Sequence, residues 1–109
     1  MKKLFIAALA VVALAGCKEE GGAFVGQWKN NAKMPETITV TEAGGGYRAV
    51  AQIDEDKKGY MNVEVVLKAE SDKLLVRDKD GKRALEIAAD GKMTSYLRHG
   101  KDDTFTKVN

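Results

Sequence analysis

Two side chains in this sequence suit nucleophilic or general-base chemistry: Cys17 and His99 are the sole cysteine and histidine among 109 residues. His99 precedes Gly100, Asp102 and Asp103 near the C-terminus, and Asp102 is the group that would orient its ring as a base or metal ligand. A zinc site needs further His or Cys ligands, so His99 reads as a solvated turn histidine. Asp78 and Asp80, before Gly81, are spaced as the opening ligands of a calcium loop. Lys82, Arg83 and an apolar strand follow at once, and Glu86 arrives too early to be the last ligand, so the segment reads as a hairpin turn. No glycine-rich phosphate loop precedes a helix. The inventory predicts a protein that is not an enzyme, with no catalytic residue, no metal and no cofactor.

Cys17 takes its meaning from what surrounds it. Lys2 and Lys3 form a short positive region, Leu4 to Leu14 is an apolar run of 11 residues, and Ala15 and Gly16 are small. That order describes an export signal cleaved between Gly16 and Cys17. The run falls short of the roughly 20 residues a membrane-spanning helix needs. Leu14-Ala15-Gly16-Cys17 resembles the lipobox of bacterial lipoproteins. The resemblance implies a diacylglycerol on the Cys17 thiol, cleavage ahead of it and an acyl group, palmitate for example, on the new amino terminus. Such a protein is membrane-attached by its lipid alone, and several acyl chains together anchor stably. Lys18, where inner-membrane retention favours Asp, implies the periplasmic face of a Gram-negative outer membrane.

Residues 1–16 are therefore expected to be a cleaved signal helix and 17–22 a lipidated, flexible tether, with a single small domain over 23–109. The formal net charge of +2 belongs to Lys2 and Lys3; without them 16 basic residues face 16 acidic ones. Acid and base are interspersed, and with no basic stripe to follow phosphates, nucleic acid is excluded as a partner. Without a second cysteine there is no disulfide, and stability must come from a modest apolar core.

The domain must be built from strands. Thr37 to Thr41 alternates strictly, and apolar residues recur at every second position from Tyr47 to Ile53, from Met61 to Leu67 and over Leu85 to Ile87. Gly44-Gly45-Gly46 and the dipeptides Asp80-Gly81 and Asp90-Gly91 are hairpin chemistry, the last two of the kind favoured in two-residue turns. The spacing predicts an all-β antiparallel meander of about eight strands, near 23–30, 36–43, 46–55, 59–70, 73–79, 82–89, 92–99 and 103–108. Such a meander closes into a barrel or forms a strongly curved sheet.

Phe24-Val25-Gly26-Gln27-Trp28 resembles the apolar-x-Gly-x-Trp first strand of lipocalin-type barrels, although Lys29 departs from that pattern. The resemblance implies that Trp28 plugs the closed end, with a late basic residue, Arg98, packed over it by a cation–π contact. Ala49, Ala51 and Ala88 or Ala89 are small inward candidates. They leave room for a small apolar ligand lined by Met61 and Met93, or let the sheet close tightly. Tyr60, Tyr96, Arg48 and Arg77 are of the types that dominate recognition surfaces. The function expected is a binding module for a protein partner or small apolar ligand. The alternatives are an inhibitor of lysozyme-like wall hydrolases, for which Thr94-Ser95 offers little inhibitory loop, and a pilotin-like secretion assembly factor.

Overall fold

A computed structural model describes residues 20–31, 34–56, 58–98 and 103–108. The signal segment, Cys17, His99 and Asp102 lie outside the described residues. A short 3-10 helix, Gly22–Phe24, is followed by β1 (Gly26–Lys29), β2 (Glu36–Ala43), β3 (Gly46–Ile53) and β4 (Val63–Ser71). Then come β5 (Leu74–Arg77), β6 (Arg83–Ile87), β7 (Met93–Ser95) and β8 (Asp103–Lys107). Each strand pairs antiparallel with the next, and β8 returns to β1 to close a barrel. The expected all-β meander is the observed fold, in its closed form.

Alternation sets which faces turn inward. Ile38 and Val40 of β2 are fully buried, as are Ala49 and Ala51 of β3, which sit directly across from them. Large thus faces small, which lets Phe24, Trp28 and Phe105 fill the narrow interior. Leu67, Leu75, Leu85 and Met93 complete the core. Ala88 and Ala89, expected inside, are exposed on the β6–β7 turn; the inward alanine of that strand is Ala84. Ala84 and Leu85 are adjacent and both buried because the β5–β6 register shifts there, a bulge that turns successive side chains inward.

Other departures are also local. The expected first strand loses its beginning to the 3-10 helix, and the expected strand over 92–99 shrinks to Met93–Ser95. The two Asp-Gly turns are longer than two residues. A two-residue type I′ turn needs positive φ at both central positions, and here Gly81 and Gly91 have it while Asp80 and Asp90 do not. Each aspartate instead accepts a backbone N–H two residues on: Lys82 to Asp80 Oδ1 at 2.9 Å and Lys92 to Asp90 Oδ1 at 3.0 Å. Closure itself is narrow. The β1–β8 register holds Trp28 opposite Lys107 and Lys29 opposite Thr106, and the Val108 N–H adds a bond to the Gln27 carbonyl.

Candidate functional site: the two ends of the barrel

One end is closed by the chain entering it. Gly21 sits so close to the barrel wall that a Cβ there would lie 2.9 Å from Tyr47 and 3.0 Å from Leu75. The Tyr47 hydroxyl donates to the Glu20 carbonyl at 2.7 Å. Phe24 is fully buried, and the Trp28 indole N–H donates to its carbonyl at 2.9 Å. The cation over the indole is Lys107, 5.6 Å from the ring centroid, and its Nζ donates to the Ala23 carbonyl at 3.1 Å. Trp28 is thus buried at this end, but the basic residue over it is not Arg98, because Lys107 is the residue that β1–β8 pairing sets across from Trp28. Within the expected tether, Glu20 and Gly21 contact the barrel wall.

Cys17 lies three residues before Glu20, and three extended residues span at most about 11 Å. Residues 1–17 match the family model of the prokaryotic membrane lipoprotein lipid attachment site, which ends on that cysteine. That match supports Cys17 as a site of lipid attachment. No curated protein and no solved structure matches the chain. Among the described residues no helix is long and apolar enough to cross a membrane.

The plugged side carries the turns 44–45, 72–73 and 88–92, and the described parts of the opposite end are 30–31, 34–35, 54–56, 58–62, 78–82 and 96–98. Arg98 is found here. Its Nε donates to Glu36 Oε2 at 2.8 Å, with the Glu36 side chain only 5% exposed and that of Arg98 24%. One guanidinium nitrogen of Arg98, Nη2, is buried with no hydrogen-bond partner among the described residues. Thr37 donates to Asp54 at 2.8 Å, and Lys29 pairs with the same carboxylate at 3.7 Å. The Asp54 N–H bonds the Pro35 carbonyl and so ties two loops together. Tyr60 stands 83% exposed on the 54–62 loop beside Met61, which is exposed and lines no interior; Met93 is core.

Around the β5–β6 hairpin the remaining recognition candidates separate. Arg48 is paired across the wall with Glu64 at 3.2 Å. The Tyr96 hydroxyl donates to Glu86 at 2.9 Å, under the Arg83 guanidinium 5.5 Å from its ring. The Tyr96 hydroxyl and the Glu86 carboxylate raise the pKa of Arg83 above its ordinary value. Arg77 reaches toward the Leu97 carbonyl at 3.4 Å, a long contact that leaves its guanidinium mostly uncommitted. Arg77, Lys79, Lys82, Arg83, Asp80 and Tyr96 surround a cleft of about 360 Å³. Sequence reading missed Lys79, Lys82 and Arg83 because Asp78 and Asp80 are interleaved with them. In the fold Asp80 lines the cleft with one carboxylate oxygen held by the Lys82 N–H of its own loop, and Asp78 lines the adjoining groove. Ser95 of the Thr94-Ser95 pair is buried on β7. Among the described residues no group of His, Cys, Asp or Glu is placed to hold a metal ion.

Proposed function

We propose that this chain is a non-enzymatic binding module, anchored by lipid to the periplasmic face of the outer membrane, that offers the open rim of its barrel to a protein partner. The observation that carries this reading is the docked N-terminus. With Glu20 held on Tyr47 and Cys17 three residues away, one end of the barrel faces the bilayer and the loop-bearing end faces away from it. The interior is filled by Trp28, Phe24 and Phe105, which favours a partner at the rim over an apolar ligand inside. Exposed Tyr60 and Met61 and the cleft beneath Arg77 supply the aromatic, apolar and guanidinium groups that interfaces concentrate. Lys18 supports the outer-membrane placement through the lipoprotein resemblance.

The test is photocross-linking in cells. A photoreactive phenylalanine replacing Tyr60 should give one discrete adduct, and the same residue replacing Glu42, beside the 44–45 turn, should give none. Equal labelling from both positions, or none from either, would overturn the reading.

A further inference from the structure

The basic cleft continues into a second groove on the barrel wall. Arg77 and Lys79 belong to both; Glu64, Val65, Val66 and Asp78 complete the second, of about 270 Å³. This groove exists because β4 outruns β5. Their register ends at Leu67 opposite Arg77, and the Asp78 N–H makes one further bond to the Val66 carbonyl. Beyond it, Val63–Val65 pairs with β3 on one side and has no strand neighbour on the other among the described residues. Val66 is 55% exposed there. An unpaired strand edge beside an apolar side chain is a template for an added strand.

The charge along this path is one-sided at its end. Arg83 is paired with Glu86 at 3.6 Å; it lines the cleft with Arg77, Lys79 and Lys82 around the single lining carboxylate of Asp80. One oxygen of that carboxylate is engaged by the Lys82 N–H. Glu64, the acid of the second groove, is paired with Arg48. No described carboxylate pairs with Lys79 or Lys82. Two guanidinium groups suit bidentate capture of carboxylates.

We propose that an extended acidic segment of a protein partner docks here, adding as a strand to β4 at Val63–Val65 beside the Val66 side chain and placing its carboxylates in the Arg77–Lys79–Lys82–Arg83 cleft. This deepens the binding-module reading and rests on it. A bilayer surface is the poorer occupant because the cleft lies at the end opposite the docked N-terminus. A free anion would leave the β4 edge and Val66 unused.

The probe is a labelled octapeptide of alternating Val and Glu, titrated by fluorescence anisotropy against the full lipidated chain in zwitterionic nanodiscs. It should bind with salt-sensitive affinity, and at least tenfold more weakly to a Lys79→Glu, Lys82→Glu variant. Both lysines are exposed with no described side-chain partner, so an unchanged melting temperature will exclude unfolding as the cause. Proline at alternate positions of the peptide removes N–H donors and should also weaken binding. Equal binding of a Val-Lys octapeptide, or unchanged affinity in the variant, overturns the proposal. Full displacement by inorganic phosphate, or variant-sensitive binding to anionic vesicles, overturns it in favour of a simple anion site or a lipid site. If the peptide fails while the Tyr60 cross-link persists, the acidic segment is wrong and the module stands; loss of both removes the module.

Discussion

Lys107 sits above Trp28 with its ammonium 5.6 Å from the indole centroid and its Nζ on the Ala23 carbonyl. One side chain from the last strand therefore covers the buried aromatic of the first and ties down the 3-10 helix beside it. Lys107→Ala should lower stability by about 1 kcal/mol, the scale of an exposed cation–π contact with a hydrogen bond. That is a fall of roughly 4–8 °C in Tm for a domain of this size. Lys107→Arg should retain most of it, whereas Trp28→Ala should cost about 3–5 kcal/mol. Thermal denaturation followed by circular dichroism measures all three.

Three glycines give a graded test of close approach. At Gly46 a Cβ would lie 2.6 Å from the Leu67 carbonyl oxygen, so Gly46→Ala must push β3 away from β4. Gly21 combines a φ of 90° with a Cβ position 2.9 Å from Tyr47, and Gly21→Ala should loosen the plug by more than about 1 kcal/mol. Gly22 has nothing within 4 Å and no positive φ, so Gly22→Ala should be neutral. Equal Tm values for the three variants would contradict these packing assignments.

The Glu36–Arg98 pair should show strong coupling. Arg98→Met strands a carboxylate that is only 5% exposed, and losing one partner of a buried pair costs about 3–5 kcal/mol when burial is complete. The partial exposure of Arg98 places this case below that range. In a Glu36→Gln background the same substitution should cost markedly less, and a double-mutant cycle in urea reads the difference.

Upright seating on the bilayer can be read with fluorophores on introduced cysteines. A label at Asp90→Cys, on the 88–92 turn, should be strongly quenched by doxyl lipids, and one at Asp80→Cys only weakly. A long Gly-Ser insertion between Glu19 and Glu20 should bring the two values together. Quenching that favours position 80 would reverse the orientation.

Anchoring has a simple chemical control. Cys17→Ser should abolish acyl labelling with radioactive palmitate and move the protein from the membrane pellet to the soluble fraction. Persistent labelling would place the lipid elsewhere.

Much of the wall was legible because period-two burial leaves a direct mark on sequence. Glu36–Ala43 begins and ends where the Thr-Ile-Thr-Val-Thr alternation and the Gly44-Gly45 turn put it. The ends of the barrel were not legible, since they depend on contacts distant in sequence. Nothing local in Gly22–Phe24 marks a 3-10 plug; its fit comes from Tyr47, Ala69 and Leu75. Arg98 looked like the cover for Trp28 because both side chains were known and the register was not. The pairing of Trp28 with Lys107 fixes that register and frees Arg98 for Glu36. The basic cleft was hidden by its own turn, where Asp78 and Asp80 are interleaved with the lysines, and by the register that brings Arg77 and Arg83 to it from the flanking strands.

The narrow seam between the first strand and the last also sets an order of events in biogenesis. Trp28 and Lys29 find their partners only when Lys107 and Thr106 have emerged. No arrangement of the first seven strands completes the cylinder. Until β8 pairs, β1 is held by β2 alone, so the plugged end, where Lys107 reaches the Ala23 carbonyl, becomes rigid last.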